Sequence, residues 1–391
     1  MLRIGNFQSG YPEPDGITNA VHGISEALVR DGHAVVIYGY GHSVQAPVAT
    51  STHSPEVVLF PEPSFPFFAP AALRQRLAAN LDRLDLLVIH GMFNRPSVAV
   101  AHCAAQARIP YIVCPHCPFD PVLLHQHRVR KALYGFLFEK PALRHAVAVQ
   151  VFCQKHADLL RSYGIETPAI VVPNGLDPAD VPLDEPQDQT LLDGDPKLLF
   201  LGRLDSYHKG IDLLIRGFAR AFHSGRIPAS TMLTLVGPET GDGAALRRLA
   251  EEQNVTTLVT FAGKAVDPRR WLLLKSCDLF VLTSRYDGFA MAVTEAMMAG
   301  KPLLLSTATA NATWIQRAGC AWMAEPSAES ISAGLIEAIE NRAQWREMGS
   351  RARQFAGEQL SWQRAAAIAA EQYAQVLAGG TERLNASPAM V

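Results

Sequence analysis

The sequence predicts an α/β protein of two doubly wound domains, each built on a parallel sheet. Three observations lead there. Short apolar runs that read as buried strands alternate with helix-period segments along both halves of the chain. Each half opens on a strand followed by glycine and a helix: residues 2–7 before Gly16, and residues 197–201 before Gly202. Between the halves lies an acidic, proline-bearing stretch, residues 178–196, carrying Asp180, Asp184, Glu185, Asp188, Asp193 and Asp195. A length of 391 residues suits two domains of ordinary size, and 48% apolar residues can fill both cores.

Taken in order, residues 2–7 read as the first strand and 8–16 as a loop with two prolines, two glycines and Asp15. Residues 18–30 read as an amphipathic helix, with Val21, Ile24 and Leu28 on one face and Asp31-Gly32 as its stop. Strand 34–38 completes a βαβ opening. Residues 57–60 form a further strand. Residues 61–70 hold four prolines and Phe65, Phe67 and Phe68, and precede a helix at 71–81 with Arg74 and Arg76. Two readings of this loop stand: contact with a lipid surface or lipid-linked acceptor, or phenylalanines folded back onto the core. Strands at 86–90, 111–114 and 147–152 follow.

Between the last two strands runs Cys114-Pro115-His116-Cys117-Pro118-Phe119-Asp120-Pro121. The first four residues match the redox centre of periplasmic thiol oxidases. Thioredoxin-like centres sit at a helix start, where Pro118 and Pro121 stand against a regular helix, and no second CxxC completes a zinc site. The cysteines therefore read as small packing residues beside a functional His116, at the carboxyl end of a strand where α/β folds bind ligands. Arg128, Arg130 and Lys131 make the next helix basic, either a solvated face or a contact for an anionic acceptor or membrane. In the second half, strands are expected at 197–201, 233–236, 259–263, 279–283 and 302–305. Gly241-Asp242-Gly243 lacks the third glycine of a dinucleotide fingerprint. A long helix at 360–377 includes Trp362 and Tyr373, and 378–391 reads as a frayed tail.

Chemistry concentrates in two segments. After the strand at 279–283, the stretch from Ser284 to Pro302 reads as a tight turn at Gly288, then a helix from near Ala292. Val293, Ala296, Met297 and Gly300 share one face of that helix, and Gly300 and Pro302 end it. Backbone donors and the positive end of the helix dipole make an anion site. Asp287 on the turn and Glu295 on the first helical turn, seven residues between them, can face one crevice. In Gly202-Arg203-Leu204-Asp205-Ser206-Tyr207-His208-Lys209-Gly210, Arg203 offers a planar fork and Lys209 a point charge, suited to a pyrophosphate. No GxxxxGK[ST] loop occurs.

These residues resemble the retaining glycosyltransferases of family 4. The resemblance rests on an acid, seven residues and Glu295, with Gly288-Phe289 after the first acid and Ala296-Met297 after the second. Gly202-Arg203 with Lys209-Gly210, the segment Ile170 to Asp177, and His116 after its strand also match family segments. The family's first acid is usually Glu, where this chain has Asp287, and its two adjacent glycines are here Gly16-Ile17. The resemblance implies a GT-B fold of two Rossmann-like domains with parallel sheets facing a central cleft: an acceptor domain at 1–175, a linker at 176–196, a nucleotide-sugar domain at 197–359, a helix at 360–377 crossing back, and a tail. It implies transfer of a sugar from a nucleoside-diphosphate sugar to an acceptor hydroxyl, with retention, the acceptor being a sugar, a lipid-linked molecule or a small molecule. The residues implicated in catalysis are His116, Asp287, Arg203 and Lys209. Those implicated in donor binding are Gly16, Gly202, Arg203, Lys209, Val266, Asp287, Phe289, Ala290, Met291, Ala292 and Glu295. The bend at Lys264 and Val266 lies beside the nucleotide base in the family, while Lys264 itself reads as a strand-end surface lysine. No cofactor and no metal are required by this chemistry.

A net charge of −2 argues against nucleic acid as a general partner. No secretory apolar region or membrane-length run is read, so a cytoplasmic protein, at most peripheral on a membrane, is expected. Two rivals share the fold: a sugar-nucleotide epimerase or phosphorylase, and a catalytically silent partner protein.

Overall fold

The computed structural model describes residues 1–12, 16–41, 54–62, 69–116, 119, 124–125, 128–177, 181 and 191–379. Phe65, Phe67, Phe68, Cys117, residues 182–190 of the acidic stretch and the tail from 380 lie outside the described residues. The chain divides into two compact units, one formed by Met1–Gly175 with the helix Trp362–Leu377, the other by Leu176–Ser361.

The first unit holds a seven-stranded sheet. Its strands are β1 (Arg3–Phe7), β2 (Ala34–Tyr40), β3 (Glu56–Phe60), β4 (Leu86–His90), β5 (Tyr111–Cys114), β6 (Ala148–Val151) and β7 (Ala169–Val171), in the order β3-β2-β1-β4-β5-β6-β7. Every pairing is parallel. The central strands are apolar because helices cover both faces, as in Leu86-Leu87-Val88-Ile89, all fully buried. Helix Trp362–Leu377 packs on helix Gly16–Arg30 in this unit. The approach is so close that a Cβ on Gly23 would lie 2.2 Å from the Trp362 ring. Tyr373 donates to Gln150 Oε1 at 2.6 Å on β6.

The second unit holds β8 (Lys197–Leu201), β9 (Met232–Val236), β10 (Val259–Phe261), β11 (Leu279–Leu282), β12 (Leu303–Ser306) and β13 (Ala321–Ala324), in the order β10-β9-β8-β11-β12-β13, again parallel throughout. Helix Ile211–His223 buries Ile211, Leu214, Ile215 and Phe218. Its cap, Gly210, has φ +63, and a Cβ there would lie 2.5 Å from the Thr283 carbonyl oxygen. Only glycine combines that backbone with that contact.

Several boundaries differ from the sequence reading. Helix 71–81 stops at Ala78, and the chain beyond it takes left-handed conformations at Asn80 and Arg83. The expected helix from 360 begins at Trp362, after a separate helix, Trp345–Gln359. The basic helix Arg128–Tyr134 continues into a π-helical turn, Gly135–Glu139.

Candidate active site

In the second sheet the connections from β8 and β11 run off in opposite directions, so the carboxyl ends of these neighbours form the crevice where α/β folds bind ligands. Both sequence-predicted segments emerge there. After β8 come Gly202, Arg203 and a short helix, Ser206–Lys209. Asp205 caps that helix, accepting from the His208 backbone N–H at 3.1 Å and meeting His208 Nδ1 at 2.5 Å. Burial works to raise the Asp205 pKa, but these bonds to His208, aided by Arg203, outweigh it and leave the pKa lowered.

The loop after β11 is stitched to this helix. Arg285 N–H donates to the His208 carbonyl at 2.8 Å, and the Arg285 guanidinium grips both Asp212 oxygens at 2.6 and 2.7 Å. Lys209 Nζ pairs with Asp287 Oδ2. The Asp287 side chain is 8% exposed and that of Lys209 18%. On its other side Asp287 forms a β-bridge to Thr309, and its carbonyl accepts from Ala310 N–H at 2.9 Å. The Asp287 peptide is thus held between segments following β8 and β12.

The helix after this loop is Met291–Met298, capped by Ala290 without a side-chain bond. It starts one residue earlier than the periodicity suggested. Glu295 therefore belongs to its second turn, a correction to the first-turn placement. Val293 and Thr294 N–H groups bond the Ala290 carbonyl, at 3.0 and 3.4 Å. Those of Ala290, Met291 and Ala292 meet no acceptor among the described residues, which leaves three backbone donors for an anion. Phe289 beside them is buried.

Glu295 is 5% exposed and accepts from Arg270 Nη1 at 2.8 Å. Asp267 braces Arg270 in turn, with bonds of 3.0 and 3.1 Å. Burial raises the Glu295 pKa, and Arg270 opposes that rise. Asp287 and Glu295 make no hydrogen bond to each other. Arg203 leaves 57% of its side chain exposed, 4.0 Å from Asp205. Gly202 N–H bonds the Val236 carbonyl at 2.9 Å. Val266 is 62% exposed, and Lys264 is also at the surface.

The remaining predicted residues lie in the first unit. Gly16 is the exposed first residue of its helix, with open space where a Cβ would stand. His116 follows β5 with φ +54, and its Nε2 lies 3.0 Å from Nδ1 of the buried His90. Sequence reasoning missed His90, Arg270 and Asp267. It also missed buried polar atoms in the segments that follow β11 and β12 and have no partner among the described residues: Thr283, Thr294 and Thr309 Oγ1, and both amide atoms of Asn311. No spacing motif marks these positions.

Two Rossmann-like units with parallel sheets, with charged groups gathered at a sheet switch point, define the GT-B class of transferase. A family model for group 1 glycosyl transferases matches residues 184–355, and one for Glycosyltransferase Family 4 matches residues 14–180. The chain belongs to the group 1, family 4 glycosyltransferases. Alpha-monoglucosyldiacylglycerol synthase of Streptococcus pneumoniae is 24% identical over 340 residues, covering 78% of this chain and 70% of its own. MMP alpha-(1->4)-mannosyltransferase of Mycolicibacterium hassiacum is 25% identical over 225 residues, 57% of this chain and 52% of its own. The crystal structure of Anabaena HepE in complex with UDP and glucose superposes with a TM-score of 0.74 at 18% identity, over 96% of this chain and all of that one. At that identity the superposition establishes the fold alone.

Proposed function

We propose that this glycosyltransferase moves a sugar from a nucleoside-diphosphate sugar to an acceptor hydroxyl with retention at the anomeric carbon. The observation that carries the reading is the β11 junction. Three unpaired backbone N–H groups at a helix start lie in the same loop as a carboxylate, Asp287, already paired to Lys209. Such donors stabilise a leaving diphosphate, on which charge grows in the transition state. Lys209 and the exposed Arg203 add cationic charge for the same group. Buried Glu295, steadied by Arg270, is assigned to the ribose hydroxyls by family resemblance. Asp287 is assigned to donor-sugar hydroxyls, and His116, on the first unit, to the donor sugar by family resemblance. The leaving phosphate can take the acceptor proton, so no separate protein base is invoked. HepE, whose structure holds UDP and glucose, supports a nucleotide-sugar donor.

A lipid-linked acceptor is favoured by one surface. Among the described residues, Val129, Leu133, Phe136 and Leu137 are exposed by 78, 60, 70 and 50%, on the same segment as Arg128, Arg130 and Lys131. Apolar and basic side chains interleaved on one helix suit an anionic lipid surface. No described helix is long and apolar enough to cross a membrane.

The test is a thermal-shift panel of nucleotides and nucleotide sugars, followed by product analysis. A ligand at 100 times its dissociation constant stabilises by about 2.7 kcal/mol. A glycoside with the donor's anomeric configuration supports the reading. An epimer, a free sugar phosphate, or binding without turnover supports a rival.

A further inference from the structure

A cluster in the first unit is distinct from the anion site. β4 and β5 pair in a register that sets His90 opposite Cys114, and the chain turns at His116, two residues on. One ligand atom from each of His90, Cys114 and His116 lies within 4.8 Å of the other two. Two imidazoles and a thiol at that spacing are soft-to-borderline donors.

The hydrogen bonds fix which atoms are available. Asn6 Nδ2 donates to Ser25 Oγ at 2.9 Å, which leaves Asn6 Oδ1 facing His90 Nε2 at 3.1 Å. His90 must then carry its proton on Nε2, because Oδ1 only accepts. Its Nδ1 therefore bears a lone pair, aimed at His116 Nε2 3.0 Å away. An imidazole whose far N–H is anchored to a carbonyl oxygen is the arrangement that orients metal-binding histidines. The His116 backbone N–H bonds the Cys114 sulfur, which favours the thiolate, against burial that raises the thiol to about 12. Burial also lowers the His90 pKa, keeping that ring neutral. A cavity of about 10 Å³ adjoins all three residues, lined also by Gln150 and Asn174. That is room for roughly one water.

We propose that His90 Nδ1, Cys114 Sγ and His116 Nε2 bind one thiophilic divalent metal ion of the zinc class, with a water in the adjoining cavity as fourth ligand. Three protein ligands and a water make a tetrahedral, open zinc site. Binding releases the Cys114 proton to solvent and moves the His116 proton from Nε2 to Nδ1, so that both ring lone pairs face the ion. Occupancy removes the His116 imidazole from any other partner, which makes the metal a reversible inhibitor of transfer. That consequence rests on the donor role given to His116 above; the binding itself does not.

The experiment titrates the chelator-treated full-length protein with zinc and, separately, with cobalt. The expected result is one equivalent of zinc held against a chromophoric competitor, and with cobalt a thiolate-to-metal charge-transfer band. Cys114→Ser should abolish the band and weaken zinc binding at least tenfold, while keeping metal-free activity and thermal midpoint. Asn6→Leu, which removes the His90 anchor, should weaken zinc binding ten- to a hundredfold. Zinc should inhibit transfer in the wild type, with recovery on adding chelator. Absence of a tight equivalent, absence of the band, or unchanged affinity in Cys114→Ser would overturn the site. Tight binding with full activity would uphold the site and remove His116 from the donor.

Discussion

Asp287→Asn is the perturbation that best separates the assigned roles. It removes a negative charge from the pair with Lys209 and leaves the ammonium partly buried beside a neutral amide. Breaking a fully buried pair costs about 3–5 kcal/mol and an exposed one about 0–1. With side chains 8 and 18% exposed the cost here should be about 2 kcal/mol. For a unit the size of Leu176–Ser361 that lowers the thermal midpoint by roughly 4–8 °C. Losing a charged hydrogen bond to a donor hydroxyl costs about 1.5–3 kcal/mol, so kcat should fall roughly ten- to a hundredfold. Affinity for the bare nucleoside diphosphate should not weaken, because the charge removed is negative and Lys209 is released towards the phosphates. The assay is kcat/KM for several donors beside the diphosphate dissociation constant and a melting curve. Diphosphate binding that weakens in step with turnover would refute the assignment to the sugar. An unchanged kcat would show that the first acid of the motif has no part in transfer.

Other expectations follow from the same geometry. Arg203→Ala and Lys209→Ala should each depress kcat/KM; if both keep wild-type values, the pyrophosphate lies elsewhere. The Glu295 pKa is raised by burial, so donor affinity should fall as pH drops through that raised value. Arg270→Ala should move this fall to higher pH, and titration of donor binding against pH in the two proteins decides it. Burial raises Glu139 in the π-helical turn to about 8, opposed by a bond from the Phe93 N–H. A raised folded pKa contributes stability that is full below the usual carboxylate range and is lost progressively as pH rises from there to about 8, up to about 5 kcal/mol in all. Glu139→Gln should flatten that loss, and equal pH slopes in the two proteins would contradict it. Leu133→Ser with Phe136→Ser should reduce sedimentation with anionic vesicles several-fold without changing turnover on a soluble acceptor, and unchanged sedimentation would discount the membrane surface.

The fold was largely legible because parallel strands buried on both faces have little freedom but to be apolar runs. Val281 and Leu304 announce themselves as core in any context. Charged residues at strand ends were legible one by one, but their pairing was not. Lys209 and Asp287 are 78 residues apart and meet because β8 and β11 are neighbours in the sheet. Arg270 follows Asp267-Pro268-Arg269 and reads as ordinary surface charge; only the helix Arg269–Ser276 brings it to Glu295. The His90–His116 contact likewise depends on the β4–β5 register, which no local pattern encodes. The helix start was missed by one residue because Ala290, without a capping side chain, gives no sequence signal for its position.

The substitution of Asp for the family's usual Glu acquires a definite meaning once the turn is seen in place. Asp is shorter by one CH2, so its carboxylate lies roughly 1.5 Å further back than that of an extended Glu on the same backbone. A hydrogen bond tolerates only a few tenths of an ångström, so the difference must be taken up somewhere. Advancing the turn is the costly solution. The bridge to Thr309, the bond from Ala310 N–H and the bonds of Arg285 and Tyr286 to the His208 carbonyl would all have to break. The remaining ways are a water in front of the carboxylate, or a donor sugar whose hydroxyl reaches further. Both act on the sugar and neither on the diphosphate. Asp287→Glu should therefore change the ranking of donors while leaving diphosphate affinity alone. A uniform rise in rate with every donor would instead mean that the shorter acid is only a weaker version of the longer one.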